Sequence, residues 1–424
     1  MLNREKLATD LHLIISKLFP DITESCDIAQ KKWKEIVNDP AFAQKVEAAQ
    51  SSFLLPRWRG NLSDTFEVPR ADEDYIVVAV DGSQVYPDRH IAGAGCFLVN
   101  VGGVVLSYSD KSSANFFCFP KVFVPEDIVC DFNTTSFSRD LVDLKREELE
   151  LKTSLEQSLL YKEKNVTCLF DGTIIFWNLE AKPPEVKKHF LKRYLYYLDQ
   201  FYQNKIVCGG YISMPKSKEL VNLIKIGLCR FTAADCIGCH REYDTFPCQQ
   251  VDSLIDTHIA RTVLRPVRRN PSTGSGRTGD FFERVREHNN KNGENFISPV
   301  RPELVEGFLR TTIFYSTSKI INEYPDHLKP AFFYLDIGKE IIRIEVPRWV
   351  AEDEKYVNQI ASVAIDQSEK GLGYPVCLAE AHEQAVVKGP DREFFYHVIQ
   401  KVGMDKNKNL FMSQKSVKKR GLGV

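Results

Sequence analysis

Two aspartates follow short apolar segments that have the pattern of buried strands. Tyr75–Val80 (YIVVAV) is followed by Asp81, and Val166–Phe170 (VTCLF) is followed by Asp171. Short β-branched apolar runs that stop at polar turn residues are typical of core strands. An unpaired carboxylate is costly to bury, so two matched aspartates favour a shared partner. A divalent cation such as Mg²⁺ or Mn²⁺, which prefers oxygen ligands, is one partner that would hold both.

The alternative is that both aspartates are turn residues. Each is followed by glycine, and Asp-Gly is among the commonest dipeptides in turns. The helix predicted at Leu141–Leu160 supplies a third candidate ligand, Glu150, which lies four residues after Arg146 and shares its helix face. A charged helix is otherwise typical of a solvated surface. The glutamates that compete with Glu150 are Glu147, Glu148 and Glu156.

A tyrosine and a histidine mark the start of the helix predicted at Pro375–Val387. Proline is favoured at the first helical position, which places Tyr374 at the mouth of the helix and His382 two turns into it. Histidine can bind a metal or transfer a proton, and tyrosine can hydrogen-bond a phosphate. A single histidine on a helix is more often structural, so both interpretations stay open.

Four cysteines lie close together in the pattern C-x6-C-x2-C-x8-C; they are Cys229, Cys236, Cys239 and Cys248. Four thiolates at this spacing could hold a zinc ion or an iron–sulfur cluster as a second, structural metal site. They could equally be ordinary buried cysteines with a chance CxxC pair. Most other cysteines lie singly in apolar runs, which is typical of small buried side chains in a reducing compartment.

The composition limits the class of protein. With 424 residues, 43% of them hydrophobic, the chain can build a large core. A formal net charge of -1 excludes a generally basic nucleic-acid-binding chain, but it allows a local basic groove beside an acidic metal site. The N-terminus lacks a signal pattern, and the longest apolar stretch is too short and glycine-rich to span a membrane. We therefore expect a cytoplasmic protein that has no membrane contact.

Basic residues that could follow a nucleic-acid backbone are Lys216, Lys218, Arg265, Arg268 and Arg269. Phosphate contacts from lysine and arginine supply most of the sequence-independent affinity for nucleic acids. A solvated surface accounts for these residues equally well.

Strand and helix patterns alternate along the chain, which predicts an α/β fold. We divide it into an N-terminal helical arm at 1–70, a main domain at 71–402 and a basic tail at 403–424. Two insertions interrupt the main domain at 229–248 and 270–308, and the second is Gly/Ser-rich like a surface loop.

The apolar stretch Ile91–Leu106 is predicted to form two buried strands that turn at Gly102-Gly103. A hairpin is predicted from Ala331–Ile337 and Ile341–Val346, with its turn at Gly338-Lys339. Further helices are predicted at 184–205, 218–226, 251–264, 354–365 and 375–387.

Five motifs occur in an order that resembles the NurA nuclease family over residues 75–402. They are Asp81-Gly-Ser; Arg146-x-x-Leu-Glu150-Leu followed by Leu169-Phe-Asp171-Gly-Thr; Tyr211-Ile-Ser-x-Pro-Lys-Ser; Arg343-Ile-Glu345-Val-Pro347; and Gly373-Tyr374-Pro375 with Ala381-His382. The sequence departs from the family pattern at Met214, where a lysine is expected, and in the cysteine-bearing insertion.

The resemblance implies a ribonuclease-H-like mixed sheet flanked by helices, and a homodimer that works with a HerA-type hexameric ATPase. It implies manganese-dependent 5′–3′ exonuclease and single-strand endonuclease activity in DNA end resection. By the same resemblance Asp81, Glu150, Asp171 and His382 hold the metal ions, and Tyr374 lies beside the scissile phosphate. Because one fold hosts many functions, two alternatives stay open. They are a catalytically silent DNA-binding or scaffold subunit, and a regulatory module dominated by the cysteine site.

Overall fold

The computed structural model describes residues 2–87, 95–124, 126–129, 138–239, 246–265 and 307–406. The helices of this part of the chain are α1 (Arg4–Leu18), α2 (Thr23–Val37), α3 (Phe42–Ala48), α4 (Glu126–Val129), α5 (Arg139–Leu159), α6 (Pro184–Gln203), α7 (Glu219–Leu228), α8 (Cys236–Cys239), α9 (Asp256–Leu264), α10 (Arg348–Ala351), α11 (Glu354–Lys370), α12 (Val376–Ala385) and α13 (Gly389–Asp405). The strands are β1 (Arg57–Trp58), β2 (Thr65–Glu67), β3 (Tyr75–Val85), β4 (Phe97–Tyr108), β5 (Ser113–Phe123), β6 (Val166–Asp171), β7 (Val207–Ile212), β8 (Leu309–Thr311), β9 (Phe314–Tyr315), β10 (Pro330–Asp336) and β11 (Ile341–Pro347).

The described strands form one sheet of eleven strands in the order β1-β9-β10-β11-β7-β6-β3-β4-β5, with β8 on β10 and β2 on β8. The three central strands β7, β6 and β3 run parallel, and the outer pairs are antiparallel. Helices cover both faces: α5 packs on β3 and β4, with α6 behind it, and α11 and α12 pack on the other face. The predicted mixed α/β sheet flanked by helices is confirmed.

Helix α5 illustrates how the sequence positions the site. Its buried residues Leu144, Leu151 and Leu155 recur at helical spacing and face the sheet. Burying a leucine side chain contributes roughly 1.5–3 kcal/mol, so this stripe fixes the rotation of the helix. With that rotation set, Glu150 and Arg146 come to lie over strand β3.

Strand β3 continues past Asp81 to Val85, so the prediction that this strand ends at Asp81 is wrong. Its parallel partner β6 stops at Asp171, but the antiparallel ladder with β4 continues as far as Val85 opposite Leu98. The extra pairing keeps the backbone of β3 extended beyond the point where β6 ends.

The turn predicted at Gly102-Gly103 is also wrong, because both glycines lie inside the single strand β4. A Cβ atom on Gly102 would lie 2.3 Å from the backbone of Gln384, and one on Gly103 would lie 2.5 Å from the ring of Phe117. Gly102 therefore allows helix α12 to approach the sheet closely, and Gly103 leaves space for the ring of Phe117 on the neighbouring strand β5. The first part of the stretch predicted to precede this turn, residues 91–94, lies outside the described residues.

The N-terminal segment is not a purely helical arm. Helices α2 and α3 pack with α7 and α9 in a second core cluster, and strands β1 and β2 join the sheet. Residues 270–306 of the predicted insertion and 407–424 of the predicted basic tail lie outside the described residues. In the described part of the chain, no helix is both long enough and apolar enough to cross a membrane.

Candidate active site

Asp81 and Asp171 lie on neighbouring parallel strands. The register pairs Ile76 with Val166 and Ala79 with Leu169, and two further residues along each strand bring Asp81 opposite Asp171. Paired residues on adjacent strands point to the same face of a sheet. Both carboxylates therefore face α11 and α12.

His382 on α12 contacts the first of these aspartates. Its Nδ1 atom lies 2.8 Å from Oδ2 of Asp81. The imidazole is 61% exposed, whereas the Asp81 side chain is 20% exposed. A hydrogen bond at Nδ1 fixes the ring orientation and leaves Nε2 available for a ligand, which is the usual arrangement of a metal-binding histidine.

Tyr374 contacts the second aspartate through its hydroxyl group, which donates a hydrogen bond to Asp171. Partial burial raises the pKa of Asp171, the charge on Asp81 raises it further, and the bond from Tyr374 opposes both effects. Burial and the charge on Asp171 raise the pKa of Tyr374, so the phenol stays protonated and remains a donor. The Tyr374 ring is held edge-on against Tyr211, with ring centroids 5.7 Å apart.

Glu150 approaches from the opposite face of the sheet, over Gly82. A Cβ atom on Gly82 would lie 2.4 Å from Oε1 of Glu150 and 2.8 Å from Cγ of Arg146. Gly82 therefore does more than permit a turn: it leaves the space that the Glu150 carboxylate occupies beside Asp81. We refer to Asp81, Glu150 and Asp171 as the acidic edge.

The Glu150 carboxylate has few hydrogen-bond partners. Its Oε1 atom is buried and accepts no hydrogen bond within the described part of the chain, although Nε of Arg146 lies 3.4 Å away. Burial raises the pKa of Glu150 to about 8; Arg146 opposes this shift, and the charges of Asp81 and Asp171 add to it. A carboxylate placed beside like charges, with one oxygen lacking a donor, is suited to binding a cation.

The competing glutamates have other partners. Glu148 is buried between Lys145 and Arg193, each 2.9 Å away. Glu147 accepts hydrogen bonds from Asn178. Glu156 forms an exposed pair with Lys152 at 3.6 Å. Of the four candidates, only Glu150 lies over Gly82 and has a buried oxygen that accepts no hydrogen bond in the described part of the chain.

Arg146 is a site residue to which the sequence assigned no role. Its Nη1 atom donates to the carbonyl oxygen of Gly82 at 3.2 Å, and its side chain lies beside Glu150. Burial lowers the pKa of Arg146, but Glu150 and Glu147 outweigh this effect and raise it. The four-residue spacing to Glu150 was the available signal.

A tight turn sets the position of Tyr374. Leu372 and Gly373 have φ angles of 55° and 122°, and Gly373 donates a backbone hydrogen bond to Ser368 at 2.7 Å. Gln367, which is fully buried, accepts a hydrogen bond from the backbone N–H of Cys377 at 3.2 Å. These bonds anchor the start of α12, the helix that carries His382.

A cleft of about 350 Å³ lies one strand away from the acidic edge, and its lining includes Thr173, Trp177, Lys216, Lys218 and Arg343. Lys216 is exposed, whereas Lys218 donates a hydrogen bond to the carbonyl oxygen of Asp252 at 2.6 Å. Arg265 is paired with Asp336. Arg268 and Arg269 lie outside the described residues.

The cysteine insertion gives no support to a structural metal site. Cys229, Cys236, Cys239 and Cys248 are near enough to influence one another electrostatically, and burial raises the pKa of Cys236 to about 11. Within the described ranges, no three His, Cys, Asp or Glu side chains are grouped closely enough to hold a metal ion. Zinc or an iron–sulfur cluster at these cysteines therefore stays a prediction without structural support.

At the acidic edge, too, no three metal-ligating side chains of the described residues are grouped closely enough to hold a metal ion. The donor set of the acidic edge is nevertheless suited to a hard cation, because it offers carboxylate oxygens and an imidazole nitrogen. The unpartnered Oε1 of Glu150 is the specific feature that a cation would satisfy.

Comparison with known proteins assigns the family. The family model for the NurA domain matches residues 75–387. A crystal structure of the NurA nuclease from Sulfolobus solfataricus is 12% identical, with a TM-score of 0.49, and the match covers 96% of this chain and 98% of that chain. A NurA structure with manganese is 11% identical, with a TM-score of 0.38, over 88% of this chain and 95% of the other. A third, bound to dAMP and manganese, is 11% identical, with a TM-score of 0.32, over 92% and 94%.

A search of the curated proteins finds no match. Because the domain model covers well over half of the sequence, the chain belongs to the NurA domain family.

Proposed function

We propose that this protein is a metal-dependent deoxyribonuclease that cleaves phosphodiester bonds at the acidic edge. The observation that carries the proposal is that Asp81 and Asp171 each lie two residues beyond the last register pair of the parallel strands β3 and β6, with Oε1 of Glu150, which lacks a hydrogen-bond donor, close to them. Family membership supports it, and NurA structures have been solved with manganese and with dAMP.

In this proposal Asp81, Glu150, Asp171 and His382 hold Mn²⁺ or Mg²⁺. When bound, such ions would supply positive charge to the attacking water and to the leaving oxygen of a phosphodiester. His382 offers Nε2 to the site because Nδ1 is held by Asp81. We infer that the fold is ribonuclease-H-like, as the family resemblance implies.

Tyr374 acts in this proposal as a hydrogen-bond donor beside the scissile phosphate. Its raised pKa keeps the hydroxyl proton in place at neutral pH, so the group stabilises negative charge on a phosphate oxygen and does not act as a base. The contact with Asp171 and the packing against Tyr211 hold the ring in position, which limits the reorganisation needed when substrate binds.

The cleft beside the acidic edge would bind the DNA strand. Lys216 at its mouth would contact a backbone phosphate, and Trp177 would offer a ring on which a base can stack. Lys218 contributes less in this proposal, because it already donates to Asp252.

At the level of the cell, we propose 5′–3′ exonuclease and single-strand endonuclease activity in DNA end resection. The enzyme would act as a homodimer with a HerA-like hexameric ATPase. These statements rest on the family alone.

The test is cleavage of end-labelled single- and double-stranded DNA with Mn²⁺, comparing the wild-type protein with Asp81→Ala. The proposal predicts degradation by the wild type and its loss in the variant. Glu156→Gln is the control, because Glu156 is exposed and distant from Gly82. Equal cleavage by wild type and Asp81→Ala would refute the site assignment. Absence of cleavage by folded, Mn²⁺-supplied wild type, alone and with its ATPase, would favour a silent DNA-binding scaffold.

A further inference from the structure

Helix α1 is exposed around its whole circumference. Every described side chain between Arg4 and Leu18 is exposed, including Leu7, Leu11 and Ile14. A helix of 15 residues is only marginally stable in water on its own, and most helices gain their stability by burying an apolar face. Contact with a partner would supply the buried apolar face that α1 lacks within the described part of the chain.

The apolar residues of α1 follow the spacing of a coiled-coil seam. Leu7, Leu11, Ile14 and Leu18 are separated by four, three and four residues, which brings them onto one stripe of the helix. Their exposed fractions are 42%, 46%, 41% and 50%. Such a stripe is suited to packing against a second helix that carries the same pattern.

We propose that α1 packs antiparallel against α1 of a second copy of this chain, which extends the proposed homodimer by assigning one of its contact surfaces. In this arrangement Leu7 lies opposite Leu18 of the second copy, and Leu11 lies opposite Ile14. The charged residues that flank the stripe, Asp10 and Lys17, are then brought together across the seam. The two-fold symmetry forms this pair twice.

The charges on α1 favour an antiparallel partner helix over a parallel one and over a membrane surface. In a parallel pair, Asp10 would flank Ile15 of the second copy and no opposite charges would meet. A helix that binds anionic membranes carries a polar face rich in lysine and arginine. The polar residues of α1 are instead of mixed sign, with Glu5 and Asp10 among Lys6 and Lys17.

The first experiment measures the self-association of the full chain by sedimentation equilibrium. We expect Leu11→Asp combined with Ile14→Asp to weaken association at least tenfold. Leu13→Asp is the matched control, because Leu13 is 75% exposed and lies off the stripe; it should leave association unchanged. Circular dichroism and the urea midpoint of all three proteins show whether the core stays folded.

The second experiment separates antiparallel from parallel packing. Asp10→Lys alone and Lys17→Asp alone each replace both attractive pairs by repulsive ones, so each should weaken association at low salt. The double variant Asp10→Lys/Lys17→Asp restores opposite charges and should recover wild-type association. In a parallel pair the double variant would not rescue the single ones, and this result would overturn the antiparallel arrangement.

A monomeric wild type, or a Leu11→Asp/Ile14→Asp variant that associates as tightly as wild type, would overturn the proposal. A dimer that both sets of variants leave intact would place the dimer contact elsewhere. None of these measurements depends on DNA cleavage, so their failure is distinct from failure of the proposed nuclease function.

Discussion

The acidic edge and a second buried group of charges both form where helices pack against the same sheet, but their polar atoms are hydrogen-bonded to different degrees. The second group, here called the paired cluster, consists of Arg343, Glu219 and Glu345, each at most 3% exposed. Arg343 bonds Glu219, and its Nε atom donates to Oε1 of Glu345 at 2.9 Å. The other Glu345 oxygen accepts from Thr173 at 2.6 Å and from Ile174 at 3.0 Å.

In the acidic edge, by contrast, burial and neighbouring negative charges raise the pKa values of Glu150 and Asp171, and Oε1 of Glu150 is left without a hydrogen-bond donor. The same residue types therefore serve two purposes within one sheet. Where charges are paired and fully hydrogen-bonded, they contribute to a unique fold. Where like charges meet and their hydrogen bonding is incomplete, the site is disposed to bind a cation.

The largest effect is expected from breaking the paired cluster. Arg343→Met leaves Glu219 and Glu345 buried without a counter-ion, which should cost about 3–5 kcal/mol of unfolding free energy in urea. Arg146→Met is the matched substitution at the acidic edge, and it should cost less because Arg146 is only partly satisfied there. Equal losses for the two variants would remove the distinction between the two groups of charges.

The next effect concerns catalysis. Asp171→Asn keeps the size of the side chain and an acceptor for Tyr374 but removes one of the crowded charges. We expect Mn²⁺-dependent cleavage to fall by about 100-fold or more, while the urea midpoint stays unchanged or rises slightly. If Asp171→Asn instead cleaves DNA normally and is markedly less stable, the acidic edge stabilises the fold, as the paired cluster does, and is not a catalytic site.

A smaller effect is expected on the stability of the metal-free protein. The pKa of Glu150 is about 8 when folded, against an ordinary value of 4.5, so the stabilisation from its protonated form is complete below pH 4.5. It is lost as pH rises toward 8. Glu150→Gln avoids this loss, so its advantage over wild type should grow between pH 5 and 8 to a few kcal/mol and then level off at higher pH.

Thermal melts in chelator across this pH range measure the Glu150→Gln effect. Glu156→Gln serves as control, because its exposed side chain should give a difference that does not change with pH. A Glu150→Gln advantage that shrinks as pH rises would contradict the raised pKa.

The smallest effect is expected for DNA binding at the cleft. Lys216→Ala should weaken single-stranded DNA binding a few-fold and reduce the slope of log K against log salt by about 0.7, the loss of one phosphate contact. Lys218→Ala should change the slope less, because its amino group already donates to Asp252. Fluorescence anisotropy at several salt concentrations measures the slope for both variants. A larger effect of Lys218→Ala than of Lys216→Ala would overturn the proposed path of the DNA strand.

The placement of Asp81 and Asp171 on neighbouring strands could be predicted because its signals are local. An apolar β-branched run followed by aspartate is enough to identify Asp81 and Asp171 as neighbours at one region of a sheet. The choice of Glu150 over its competitors could not be made in this way, since it depends on the rotation of α5 and on the space above Gly82.

Other features were predicted wrongly because the residue pattern reflects packing against distant parts of the chain and not the local backbone conformation. Gly102 and Gly103 have the pattern of a turn, yet they accommodate Gln384 and Phe117 against an unbroken strand. Strand β5 gives little signal in the sequence, because exposed aromatic and polar residues lie along most of its length. An edge strand without a buried face gives no clear alternation in sequence.

The most direct test of the account is calorimetric titration of the purified protein with Mn²⁺ at pH 8, comparing wild type, Glu150→Gln and Glu156→Gln. These two substitutions remove one charge each from the same helix, α5. We predict that Glu150→Gln weakens Mn²⁺ binding at least tenfold and that Glu156→Gln binds as wild type does. Unchanged binding by Glu150→Gln, or an equal loss in both variants, would contradict the claim that the unpaired carboxylate of the acidic edge is a metal ligand.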